Sequence, residues 1–104
     1  MKKKLSIILP VYNEINTLEI IIKKLINLRL YNKFVKQIII VDDCSTDGSK
    51  EIIKFYGNKY KNITSIFKNS NRGKGDSQKL AKKHVDGEYV IIQDADLEYD
   101  PDDI

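Results

Sequence analysis

The chain of 104 residues contains no tryptophan, a single cysteine, two prolines and one histidine. A lone Cys44 forms no intrachain disulfide and leaves no Cys-rich metal site to build, which agrees with a reducing compartment. Arginine is scarce as well, and with tryptophan absent nothing supports nucleic-acid recognition. Net charge is +3, and the one basic run, Lys2-Lys3-Lys4, reads as a solvated tail. The apolar stretch near the N-terminus, Leu5 to Leu9, is cut off by Pro10, too short for a signal peptide or a membrane span. No repeat or low-complexity segment stands out. What remains is an ordinary globular composition, 41% hydrophobic and 32% charged. It suits one small domain, with a thin stability margin because short chains bury a smaller share of their surface.

Apolar runs alternate with helical periodicity along the chain. Lys4 to Val11 reads as a buried strand, with Pro10 near its exit. Asn16 and Glu19 have the spacing of a capping pair. Leu18, Ile21, Ile22, Leu25 and Ile26 predict a helix from about Thr17 to Leu28. Val35 to Val41 is a second strand, ending on Asp42-Asp43. A Ser/Thr/Asp/Gly turn over Cys44 to Gly48 follows, then a helix through Ile52, Ile53 and Tyr56 to near Gly57. Ile63 to Phe67 is a third strand. Asn69 to Gly75 is a loop carrying Arg72 and Lys74. Ser77 to Val85 is a short helix with Leu80, Ala81 and His84 on one side. Tyr89 to Gln93 is a fourth strand, ending at Asp94-Ala95-Asp96. This order predicts an α/β fold: a four-stranded, mainly parallel sheet in the order 3-2-1-4, with right-handed crossovers and helices on both faces.

Open α/β sheets bind ligands outside the carboxyl ends of their strands. Glu14, Asp42, Asp43, Asp94 and Asp96 all fall there, and such a rim needs a cation or hydrogen-bond donors for balance. For Asp42, Ser45 and Asp47 a turn or capping role is at least as good a reading as ligand contact. Asp94 and Asp96 differ. Two residues apart on an extended chain, they project to one side and can hold a hard divalent cation directly and through water. Such a cation reverses the rim's repulsion of a diphosphate. Cys44, beside two carboxylates, is a poor thiolate. His84 is read as a partly buried structural residue, and Tyr56, Tyr60 and Tyr89 as packing residues.

Four segments, in order, resemble family 2 glycosyltransferases: Ser6 to Glu14, Ile40 to Gly48, Asn71 to Gly75, and Ile91 to Pro101. The last is similar to the branch containing dolichyl- and polyprenyl-phosphate hexose synthases. Four motifs in the right order are more specific than any one alone. The resemblance implies the nucleotide-sugar-binding half of a Rossmann-like GT-A fold. It implies that Pro10, Tyr12 and Glu14 lie against the nucleotide, and that Asp43 bonds the base with Val41 beside it. Arg72 and Lys74 are implied to meet ribose or phosphate. Asp94 and Asp96 match the DxD pair, with Asp96 the direct ligand of Mg²⁺ or Mn²⁺. Ala95 lets the backbone come close, and Glu98 lies near the metal. Two departures stand out. Cys44 occupies a position more often held by Gly or another small residue. Lys79 and Leu80 replace small residues in the third helix, so its packing is expected to differ.

The resemblance further implies transfer of a hexose from UDP or GDP by inverting displacement, with the cation neutralising the leaving diphosphate. The acceptor is a lipid phosphate or a glycan; a sugar hydroxyl needs a carboxylate base. That base and the acceptor site are expected beyond Ile104. Residues 1–104 alone are therefore expected to bind nucleotide without turnover, in the cytoplasm or, within a longer protein, at the cytoplasmic membrane face. The alternative is a non-catalytic nucleotide-binding or interaction module. A Rossmann dehydrogenase needs GxGxxG after the first strand, where this chain has Pro-Val-Tyr-Asn-Glu. A receiver domain needs its acidic pair there too, and a haloacid-dehalogenase phosphatase its DxD. The fourth strand, apolar and without Pro or charge, is expected to be an open edge through which chains self-associate.

Overall fold

The computed structural model describes residues 3–28, 34–86 and 88–95. In order, these form β1 (Lys3–Val11), α1 (Ile15–Asn27), β2 (Phe34–Asp42), α2 (Ser49–Lys59), β3 (Ile63–Phe67), α3 (Lys74–Lys82) and β4 (Tyr89–Ile92). The strands pair in parallel in the order β3-β2-β1-β4, as expected. Among the described residues no helix is long and apolar enough to cross a membrane.

β1 and β2 are apolar on both faces because helices cover both faces. Ile7, Leu9 and Val11, with Ile38 and Ile40, pack against Leu18, Ile21, Ile22 and Leu25 of α1 and Ile53 and Tyr56 of α2. Their neighbours Ile8, Ile39 and Val41 point the other way, onto Ala81 of α3. The two-residue period of the strands thus splits one apolar run between two cores. The α3 side becomes polar toward the start of the strands. There Ser6 donates to Gln37 at 2.6 Å, and Gln37 in turn donates to the His84 carbonyl at 3.0 Å. This ties the chain after α3 back to the sheet.

Three local expectations change. α1 begins at Ile15, two residues before the expected Thr17, and has no side-chain cap at Glu14. Asn16 and Glu19 do not form a capping box. The Ile15 N–H instead donates to Asp47, 3.0 Å away in the turn before α2, and the Glu19 carboxylate accepts from the Tyr56 hydroxyl at 2.8 Å. α3 begins at Lys74, three residues before the expected Ser77, and its buried residues are Ser77 and Ala81. These two small residues, one helical turn apart, let α3 approach the sheet closely; Lys79 points to solvent. His84 is exposed beyond the helix end, so it is no buried structural residue.

At its other end α1 is closed from β2: Lys36 donates to the carbonyls of Leu25, Ile26 and Leu28 at 2.8, 2.5 and 3.0 Å. These are the carbonyls that a helix C-terminus leaves without partners. β4 is an edge strand among the described residues, with Tyr89, Val90 and Ile92 each more than 40% exposed. Tyr89 does pack, edge-on to the Phe34 ring at 5.6 Å, and Tyr56 and Tyr60 stack at 6.3 Å.

The Cys44 departure has a backbone cause. Cys44 has φ +66°, in the left-handed region, which costs an L-residue roughly 1–2 kcal/mol. Glycine avoids that strain but loses about 0.5–1 kcal/mol of chain entropy. Cys44→Gly is therefore expected to be neutral or to stabilise by up to about 1 kcal/mol in urea denaturation. Cys44→Val, β-branched at the same φ, is expected to destabilise. A clear loss of stability in Cys44→Gly contradicts the strain argument.

Candidate functional site

The carboxyl ends of β1, β2 and β4 converge because β1 lies between β2 and β4. The loops after β1 and β2 are stapled together. The Asn13 N–H donates to Ser45 Oγ at 2.9 Å, the Thr46 N–H to Asn13 Oδ1 at 2.7 Å, and the Asp43 N–H to the Val11 carbonyl at 2.8 Å. Asn13 takes φ +51° to make this turn, an excursion that Asn tolerates. Asp47 serves two helices at once, accepting from the N–H of Ile15 and, at 3.0 Å, from the N–H of Ser49. Burial opposes its charge, but the hydroxyl and N–H of Ser49 and the N–H of Ile15 outweigh it and hold its carboxyl below the ordinary range. Two helix N-termini sharing one anion explains why this turn needs an Asp. Asp42 is fully buried and accepts from the Ser45 N–H at 3.1 Å. Asp42, Ser45 and Asp47 are thus turn-builders.

Asp43 is different. It is 3% exposed and carries a buried ion pair. Lys68, directly after β3, donates to its Oδ1 at 2.7 Å, and to Asp76 at 2.6 Å. The Arg72 N–H also reaches Oδ1 at 2.9 Å, and the Gly73 N–H reaches Oδ2 at 2.8 Å. Burial disfavours the Asp43 charge, yet the Lys68 ammonium and these N–H groups prevail and hold its carboxyl below the usual 3.8. Burial likewise opposes the Lys68 charge, and its two carboxylate partners prevail, raising it above 10.5. Asp43 therefore pins the loop before α3 and also lines a pocket.

That pocket, about 200 Å³, is lined by Pro10, Val11, Tyr12, Glu14, Asp43, Lys74, Ser77 and Ala95. Six of the positions singled out in the sequence meet there: Pro10, Tyr12, Glu14, Asp43, Lys74 and Ala95. Asp94 stands beside them, paired with Lys74. The loop carrying Asp94 is anchored by Thr17, whose hydroxyl donates to the Ala95 carbonyl at 2.7 Å. Val41 does not join them: it is fully buried beneath the rim, packed with Ile8, Ile39 and Ala81. Asp96 and Glu98 lie outside the described residues.

The balancing cations that the rim was expected to need are supplied in part by the chain's own lysines. Asp42 is turned into the fold, Asp43 is neutralised by Lys68, and Asp94 faces Lys74. Sequence reasoning missed Lys68, Asp76 and Thr17. Lys68 was findable: it is the first residue past a strand's carboxyl end, on the rim where ligand-contacting groups gather. Thr17 gave no such signal, since its partner lies 78 residues away in sequence.

Comparison with known proteins agrees with this geometry. The fold is that of GT-A glycosyltransferases. The mannosyltransferase PcManGT from Pyrobaculum calidifontis, solved with GDP-Man and Mn²⁺, superposes with a TM-score of 0.79 at 26% identity, over 92% of this chain and 28% of that one. Staphylococcus aureus TarS 1–349 with UDP-GlcNAc gives 0.76 at 32% identity, over 92% and 27%. The family model described as glycosyl transferase family 2 matches residues 6–104, and the chain belongs to that family. Among curated relatives, the cholesterol galactosyltransferase of Borreliella burgdorferi is 41% identical over 95 residues, covering 91% of this chain and 25% of its own length. The undecaprenyl-phosphate 4-deoxy-4-formamido-L-arabinose transferase of Yersinia enterocolitica is 34% identical over 103 residues, covering 98% and 32%. The chain thus spans a quarter to a third of the length of these four proteins.

Breaking one partner of a buried ion pair leaves the other charge uncompensated. Lys68→Met is expected to cost about 3–5 kcal/mol, and the double variant with Asp43→Asn to recover part of it. Urea denaturation at pH 7 measures both. A cost below about 1 kcal/mol would show that the pair does not hold this loop. The sign with pH follows from the shifts. Asp43, lowered, adds stability above pH 3.8 that is lost as pH falls through its folded value. Lys68, raised, adds stability below pH 10.5 that is lost above it.

Proposed function

We propose that residues 1–104 form the donor-binding unit of a glycosyltransferase that moves a hexose from UDP or GDP to a lipid phosphate or a glycan. The observation that carries this is the convergence of Tyr12, Asp43, Lys74 and Ala95 on one pocket at the carboxyl ends of the strands. Relatives named as lipid-phosphate and sterol glycosyltransferases, and neighbours solved with GDP-Man, UDP-GlcNAc or UDP, support the reading. In it, Tyr12, 44% exposed at the pocket wall, packs against the base. Asp43 accepts from the base through Oδ2, which among the described residues receives one hydrogen bond, from Gly73. Lys74 meets the diphosphate, and the close backbone at Ala95 excludes water beside it.

Mg²⁺ or Mn²⁺ fits the hard carboxylate chemistry at Asp94, and the ammonium paired with that carboxylate supports a cation there. Among the described residues no three acidic, His or Cys side chains cluster as a complete metal site; Asp96 is proposed to complete it. When bound, the cation supplies charge neutralisation for the leaving diphosphate. Inverting displacement is part of the proposal, as is the lack of turnover by residues 1–104 alone, and so is a place at the cytoplasmic membrane face for the longer protein.

Calorimetry tests the donor site. UDP or GDP is expected to bind weakly with Mn²⁺ and much more weakly in EDTA. Tyr12→Ala is expected to weaken binding about ten-fold, the scale of one lost base–aromatic stack. Equal binding with and without the cation contradicts the metal's role. No binding of either nucleotide under any condition contradicts the donor site.

The exposed β4 edge motivates a second proposal, that the 104-residue chain pairs with itself there. Light scattering over a concentration series is expected to show dimers that Val90→Lys disperses. A monomer throughout contradicts it.

A further inference from the structure

Two lysines meet the rim's carboxylates, in opposite ways. The Lys68 side chain is 6% exposed and locked between Asp43 and Asp76, with Ser77 Oγ a further 3.2 Å contact. The Lys74 side chain is 56% exposed and rests on Asp94, itself 29% exposed. Among the described residues it is also the only lysine lining the pocket. A half-exposed ion pair is worth about 0–1 kcal/mol, whereas a buried one resists breaking. One lysine is therefore a fixture and the other is exchangeable.

We propose that Lys74 is an exchangeable counter-ion, which holds Asp94 until a divalent cation takes the carboxylate and then turns its ammonium to the diphosphate. The inference rests on the donor-site reading above. Two cations on one small carboxylate repel, so arrival of the metal drives the ammonium away. Lys74 opens α3, and its flexible four-carbon stem lets the head re-aim within the pocket that it already lines. The exchange couples metal and nucleotide: the metal frees the group that the diphosphate needs, and the nucleotide captures the group that competes with the metal. Linkage makes this coupling reciprocal. It also makes Lys74 an inhibitor of metal binding when nucleotide is absent, which an ordinary phosphate-binding lysine at a distance from the metal is not.

Electron paramagnetic resonance with Mn²⁺ alone, followed by UDP titration at saturating Mn²⁺, tests the exchange on wild type, Lys74→Met and Asp94→Asn. Circular dichroism verifies that each variant folds. Lys74→Met is expected to bind free Mn²⁺ about two- to five-fold tighter than wild type, matching the loss of one half-exposed competing pair. The same variant is expected to bind UDP with Mn²⁺ about ten-fold more weakly, the scale of one lost charged contact. Asp94→Asn is expected to weaken both. Unchanged or weaker Mn²⁺ binding by Lys74→Met, with wild type binding Mn²⁺ and UDP normally, overturns the exchange and leaves the donor site standing. Wild type that binds neither Mn²⁺ nor UDP overturns the donor site and the exchange together.

Discussion

The Asp43 carboxylate is the contact on which the rest of the rim depends. Its backbone N–H fixes the end of β2 to the end of β1, and its side chain gathers Lys68 from beyond β3 and two N–H groups from the loop before α3. Three crossovers are joined at one residue. Such a group is expensive to bury, and it is held because every part of its charge is met by a directed donor. The pocket exists where it does because this loop cannot move away from it. The same residue lines the pocket, so in the proposed donor site structure and recognition share one side chain.

Charge balance explains the remaining architecture. The rim is acidic in sequence but partly neutralised in space, because three of its carboxylates are answered locally, while buried Asp42 keeps one oxygen, Oδ1, without a hydrogen-bond partner. Asp47 answers two helix N-termini, Asp43 answers Lys68, and Asp94 answers Lys74. The difference in burial between Lys68 and Lys74 divides the rim into a rigid wall and an adjustable one. In the proposed donor site, a diphosphate at the adjustable side would meet groups that rearrange at little cost, while the side held by Lys68 stays in place.

The strand order was legible because four apolar β-branched runs alternated with helical periodicity, and right-handed parallel crossovers leave few arrangements. Strand ends alone placed Glu14 and Asp43 on one rim, and the family resemblance added Pro10, Tyr12, Lys74 and Ala95, which meet them in the pocket. What escaped was decided by tertiary partners. Asn16 and Glu19 had the spacing of a cap, but Asp47, from another turn, reached the α1 N-terminus first. Ser77 joins the expected Ala81 in the close helix–sheet contact, with Leu80 partly buried beside them, because α3 starts nearly a turn earlier than its apolar pattern. The resemblance put Val41 beside Asp43; it shares that face of the strand but lies one step further inside, buried with Ile8, Ile39 and Ala81. Lys68 belonged to no motif, and only its position past β3 could have marked it.

The central claim is that one rim binds a nucleoside diphosphate together with a divalent cation. Mn²⁺ is paramagnetic, so nuclear magnetic resonance of the ¹⁵N-labelled chain with UDP and substoichiometric Mn²⁺ locates the cation directly. The account predicts selective broadening of the amides of Tyr12, Lys74, Asp94 and Ala95, with those of α2 from Glu51 to Lys59 unaffected. Broadening centred on α2, or spread evenly over the surface carboxylates, would contradict it.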